Sequence, residues 1–146
     1  MPSLLAERAQ WECARPTRAE ISNLIRHLYP MDLMHESDEE ILKVAGPVMD
    51  NLMAASTDID YERHVRDFTE RLKSLVTKEY LEKVCWQYQA EKGFFSKREC
   101  VAIFRRPESV AVVWRQWFTK QQGEFVAEMV LVEQNSRYLV DHVMVF

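Results

Sequence analysis

The sequence predicts an α+β fold in which N-terminal helices pack on a curved, cone-like antiparallel sheet of four or more strands at the C-terminus. Three observations carry this. Residues 99–146 read as four β-rich runs separated by short polar turns at Pro107-Glu108, residues 120–123 and Asn135-Ser136. Before them, apolar residues recur at helical rather than alternating spacing. Two capping boxes, Thr17 with Glu20 and Ser37 with Glu40, mark helix starts because each side chain satisfies a backbone N–H the helix leaves unpaired.

Taken in order, Leu4, Leu5, Arg8 and Trp11 form a weak amphipathic arm. After Thr17, Ile21, Leu24, Ile25 and Leu28 share one face, and Pro30 ends that helix. Met31, Met34 and His35 lie in the linker. After Ser37, Ile41, Val44, Ala45, Val48, Leu52 and Met53 make a stripe that Gly46-Pro47 interrupts, which predicts a kink or two short helices. Tyr61, Val65, Phe68, Leu72 and Leu75 predict one strong helix over residues 58–76. Thr77 caps the next, with Leu81, Val84, Cys85 and Tyr88 inward, Gly93 as its left-handed end, and Phe94 and Phe95 entering the core.

In the sheet, the turns pair Arg106 with Ser109, Thr119 with Glu124 and Gln134 with Arg137. That register sets Arg115 opposite Glu128, Val130 opposite Asp141 and Glu128 opposite Val143. Both resulting faces are largely apolar. One face, with Val112, Trp114, Phe118, Met129, Leu131, Met144 and Phe146, receives the helices. The other, with Val113, Trp117, Val126, Val130 and Val132, needs a second subunit or the N-terminal helices to cover it.

With 146 residues, one domain over 1–146 is expected, its helical part at 1–56 and its helix-plus-sheet part at 57–146. A net charge of −4 argues against a nucleic-acid binder. Cys13, Cys85 and Cys100 have neither the number nor the spacing of a disulfide framework or zinc site, so three buried thiols in the cytoplasm are expected. No secretory signal or membrane span is read, and no phosphate-binding glycine loop, Rossmann fingerprint or nucleophile motif is present. No cofactor is therefore expected.

The helix start Thr77-Lys78-Glu79-Tyr80-Leu81, the Gly93 break before the sheet and the hairpin Ser136-Arg137-Tyr138-Leu139-Val140-Asp141 resemble the nuclear transport factor 2-like superfamily, the SnoaL-like or cystatin-like α+β cone. The resemblance covers residues 58–146. It departs from the family in the extra N-terminal helix and in lacking a short strand between the early helices. It implies a pocket between the concave sheet face and the helices, and frequent dimers through the sheet. It implies no particular reaction.

Arg115, Glu128 and Asp141 fall on one face of neighbouring strands, where an apolar surround could tune them for acid–base work or let them bind a polar ligand. The competing reading is a cross-strand ion pair with a hydrogen-bonded acid. His142 points to the opposite face from Asp141, among Met129, Met144 and Phe146, as a base or as a core histidine. Trp114, Trp117 and Tyr138 are candidate ligand or dimer contacts. His64 and Asp67 lack the further ligands a metal needs. The sequence thus favours a non-enzymatic homodimeric binding module, associating through its sheet, with a small apolar ligand or a protein as partner. The alternative is an isomerase or dehydratase using an acid in the cone. A third reading gives Met31 and Met34 a protein-gripping role.

Overall fold

The computed structural model describes residues 15–28 and 32–146, in two units, residues 1–31 and residues 32–146. The arm carrying Leu4 and Trp11, the helix stop at Pro30 and the role of Met31 lie outside the described residues.

In the first unit, α1 (Arg18–Leu28) starts at the predicted capping box. Thr17 N donates to Glu20 Oε2 at 2.6 Å, and Glu20 N donates to Thr17 Oγ1 at 3.2 Å.

The second unit holds α2 (Asp38–Asp58), α3 (Tyr61–His64), α4 (Glu70–Leu75), α5 (Lys78–Lys92) and the strands β1 (Phe95–Arg105), β2 (Ser109–Phe118), β3 (Phe125–Gln134) and β4 (Arg137–Val145). The strands form one antiparallel meander in the order β1-β2-β3-β4. Ser37 caps α2 by accepting from Glu40 N at 3.2 Å. The helix then runs through Pro47 as one element, not two. Ile41, Ala45, Met49 and Leu52 recur every three or four residues along it, and all are buried. They join Val110, Val112, Met129, Leu131 and Val140 in one core between helix and sheet. Full burial of each such aliphatic side chain contributes roughly 1.5–3 kcal/mol.

The single helix predicted over residues 58–76 is instead broken into α3 and α4. Ile59, at φ 53°, ends α2, and Asp60 and Thr69 each cap a new start by accepting from Arg63 N and Leu72 N. Between them, residues 67–69 lie along the outer edge of β4. Thr69 N donates to the Val140 carbonyl at 2.9 Å, and Val140 N donates to the Asp67 carbonyl at 2.7 Å. An edge strand offers unpaired backbone groups, and satisfying them outweighs one more helical turn.

Asn135 and Ser136, at φ 52° and 61°, make the tight two-residue hairpin that their types suggest. Gly93 ends α5 at φ 81° and ψ −143°, a positive φ but not the left-handed helical basin predicted for it. A Cβ there would lie 2.9 Å from Lys120 Cβ and closer still to Thr119 Oγ1. Phe95 packs on the core as expected, whereas Phe94 is about half exposed. Of the three cysteines expected to be buried, Cys85 is, Cys100 is exposed, and Cys13 lies outside the described residues.

β1 is irregular between Phe95 and Arg98, which frees two carbonyls from the ladder. Gln116, fully buried, supplies the missing donor: its Nε2 reaches the carbonyls of Ser96 at 3.4 Å, Lys97 at 3.1 Å and Trp117 at 2.7 Å. Gln116→Leu should therefore cost about 1–2 kcal/mol by stranding those acceptors, read as a lower urea midpoint. An unchanged midpoint would mean that the carbonyls find other donors.

Candidate functional site

The observed register separates the residues that sequence reasoning groups together. The β1–β2 turn is as predicted, with Arg106 N donating to Ser109 O at 2.9 Å, and so is the pairing of Gln134 with Arg137. The β2–β3 pairing is displaced by two residues: Arg115 faces Val126, and Glu128 faces Val113. The cause lies in the loop, which is tied to the end of α5 rather than closed on itself. Thr119 N bonds Phe94 O, and Lys120 N and Gln121 N both bond Lys92 O. A displacement of two preserves the faces, so Arg115, Trp117 and Glu128 stay outward.

A bulge in β4 does change faces. Val140 pairs with Leu131 but His142 with Val130, leaving Asp141 as the extra residue. Beyond it, Val143 and Val145 turn to the core, and Met144 pairs with outward-facing Glu128, correcting the predicted assignment. His142 consequently points outward, on the same face as Met144 and away from buried Met129, and its Nε2 lies 2.8 Å from Glu128 Oε1. Asp141 leaves the trio. Its Oδ1 accepts from Thr69 Oγ1 at 2.8 Å and from Arg71 Nε at 3.0 Å, while Arg71 also reaches the Asp141 carbonyl. The Arg71 hydrogen bond, with a smaller one from Thr69, holds the carboxyl below the ordinary aspartate value. Asp141 is thereby a clip between β4 and the start of α4. Arg115 pairs instead with Glu124, at 3.6 Å.

The aromatic candidates also divide. Trp114 is buried on the helix side under the Arg98 guanidinium, 5.4 Å from its ring, and Arg98 continues to Asp50. Tyr138 packs on the core, its phenol pushed up to about 12 by burial and then by Glu133 and Glu36. Trp117 is on the outer face between the Lys97 ammonium at 5.1 Å and the Arg115 guanidinium at 6.0 Å. Met34 is exposed, whereas Met49 and Met53 are core. No group of three or more metal-ligating side chains occurs among the described residues.

Two features remain. The first is the outer sheet face. Val113, Trp117, Val126, Val130, Val132 and Leu139 are each partly exposed there, and Phe104 and Met144 are exposed by 55% and 50%. Half-exposed apolar groups across all four strands exceed the scattered apolar residues of an ordinary surface. The charges on the outer face are of both signs: Lys97 and Glu99 bond each other on β1, Arg115 on β2 lies opposite Glu99, and Glu128 on β3 lies beside His142.

The second is a cavity of about 330 Å³ between α5, the α3–α4 region and the inner sheet face. Neither Asp141, Glu128, His142, Trp114, Trp117 nor Tyr138 lines it. Its polar groups include Ser56, His64, Cys85 and Tyr88. Cys85 and Tyr88 are legible as the inward face of α5. His64 carries a sequence signal only as a poor metal ligand, and Ser56 none: Ser56 is buried on α2, and the left-handed Ile59 between α2 and α3 turns His64 back against it. Burial lowers the His64 pKa from its ordinary 6.5, opposed by a hydrogen bond to the Leu52 carbonyl. Stability linked to this group is therefore present above 6.5 and is lost as pH falls from there through the lowered folded value, since the unfolded chain takes up the proton first. Urea midpoints should fall between about pH 7.5 and pH 5, and His64→Phe should flatten that part of the curve. An equal slope in the variant would exclude His64 as its source.

No protein-family model matches the chain, and no curated protein does. Among solved structures it is similar to a SEC-C motif containing protein from Rhodopseudomonas palustris, at 13% identity and a TM-score of 0.48, over 70% of this chain and 89% of that one. It is also similar to a DUF4783 family protein from Bacteroides uniformis, at 12% identity and a TM-score of 0.43, over 66% and 93%. A third is Bd1075 of Bdellovibrio bacteriovorus, at 12% identity and a TM-score of 0.46, over 76% of this chain and 44% of that one.

Proposed function

We propose that this protein is a non-enzymatic homodimeric binding module of the nuclear transport factor 2-like type, acting in the cytoplasm, with its outer sheet face as the interface to a second copy. The observation that carries this is the apolar, half-exposed face spanning β1 to β4. Four strands about 4.8 Å apart and roughly 30 Å long give a planar area of roughly 500 Å² before side-chain relief is counted. Side-chain relief brings that towards the ~800 Å² each partner contributes to a stable interface. The placement of Arg115 on β2 and Glu128 on the neighbouring β3 makes the face self-complementary and favours a second copy over an unrelated partner. A two-fold axis parallel to the strands stacks β2 of one copy on β3 of its partner, which brings the Arg115 side of each towards the Glu128 side of the other. No helix among the described residues is long and apolar enough to cross a membrane. The isomerase or dehydratase alternative is not favoured, because its candidate acids Glu128 and Asp141 do not line the cavity. Sedimentation at about 10 μM should give twice the chain mass, and a strict monomer at that concentration would overturn the proposal.

A further inference from the structure

We propose that the cavity beneath α5 is a binding site for a small uncharged amphipathic molecule, with an apolar body and one hydroxyl or carbonyl head held by Ser56, His64 and Tyr88. This goes beyond the dimer reading and does not depend on it. At about 330 Å³ the cavity is at the lower end of the roughly 300–1,000 Å³ that small-molecule sites occupy. Phe68, Leu72, Leu81, Phe95, Phe118 and Phe125 supply most of its apolar wall.

Against that wall, three hydrogen-bonding groups come together from different elements: Ser56 near the end of α2, His64 at the end of α3 and Tyr88 on α5. Two of the bonds these groups make are long. Ser56 Oγ lies 3.5 Å from His64 Nδ1, and Tyr88 Oη accepts from Gln89 Nε2 at 3.4 Å. Bonds of this length are weak, and a hydroxyl has two acceptor sites, so a ligand head can join or replace them at little loss. His64 Nδ1 lies towards Ser56, and a neutral imidazole has one nitrogen that donates and one that accepts, so the group suits either a hydroxyl or a carbonyl head.

The head must be uncharged because its partners are. Burial keeps His64 in its neutral form and raises both the Tyr88 phenol and the Cys85 thiol, so none of these groups carries charge near neutrality. The two charged residues lining the cavity, Glu91 and Lys92, lie within 4.0 Å of each other, and Glu91 is mostly exposed. Their opposite charges leave the lining with no net charge to favour a carboxylate or an ammonium, and an unpaired ion in such a site bears a large desolvation penalty.

The test compares 1-octanol, octanoate and octylamine with the intact protein near pH 7.5, using calorimetry and methyl NMR. Saturable 1:1 octanol binding is expected, shifting the methyls of Leu72, Leu81 and Val143, with each charged analogue at least about tenfold weaker. His64→Phe and Ser56→Ala should each weaken octanol binding several-fold; if the first does not fold, the second carries the result. Val84→Trp, at a partly exposed wall position, should fill the site and abolish binding. The proposal is overturned by no saturable octanol binding, by octanoate or octylamine binding equally well, by Val84→Trp binding as tightly as wild type, or by shifts confined to Val126 and Val130 on the outer face.

Discussion

Trp117→Glu is expected to turn the proposed dimer into a monomer without unfolding it. The indole lies on the outer face, partly exposed, with its packing supplied by Lys97 and Arg115 rather than by the core. In the free chain a glutamate there would remain in water and gain two neighbouring cations. In the dimer it would be sealed among Val113, Val126 and the partner's matching face. Loss of a central tryptophan together with burial of a carboxylate should raise the dissociation constant by roughly 10²–10³-fold, or about 3–4 kcal/mol. Sedimentation velocity reads the change, and circular dichroism with the urea midpoint confirms the fold. A charge exchange tests the arrangement more sharply. Arg115→Glu and Glu128→Arg should each weaken association, and the doubly substituted chain should recover part of it, because a two-fold axis rebuilds the pair with reversed signs. Additive losses in the double variant would mean that Arg115 and Glu128 do not meet across the axis.

Much of this fold is legible in residues whose roles are settled by their immediate neighbours. Thr17, Ser37 and Thr77 bond the backbone three residues ahead, and Pro107-Glu108 and Asn135-Ser136 set their hairpins through their own turns. What escapes the sequence is settled at long range. Residues 67–69 forgo the helix their periodicity favours because Val140, some seventy residues later, needs backbone partners. The same contact fixes the bulge at Asp141, where Thr69 and Arg71 draw the carboxylate out of the sheet face. One extra residue in β4 then reverses the direction of every side chain after it. The candidate trio Arg115, Glu128 and Asp141 rests on alternation continuing unbroken through that point. The cavity's Ser56 and His64 are hidden as well, since it is the left-handed Ile59 that turns His64 back towards α2.

Phe68→Ala should cause the largest loss of stability among the core substitutions, because this side chain closes three contacts at once. It is 2% exposed, belongs to the main core, and meets the His64 ring edge-to-face at 5.4 Å. It also forms part of the cavity wall. Truncating a buried phenylalanine costs about 3–5 kcal/mol, roughly a fifth or more of the 5–15 kcal/mol that holds a typical domain together. Phe68→Leu, which keeps most of the volume, should cost less than about 1.5 kcal/mol. Urea denaturation with an unchanged m-value measures both, and a loss below about 1 kcal/mol for the alanine variant would show that the region repacks freely. The backbone bonds of residues 67–69 to β4 do not involve the ring, so exchange of the Val140 amide, which donates to Asp67, separates two outcomes. If that amide stays as protected as the rest of β4, the clip survives and the cavity simply enlarges at Phe68, shifting its preference from octanol towards longer alcohols. If it exchanges faster than its neighbours, the ring is what holds that edge of β4 shut.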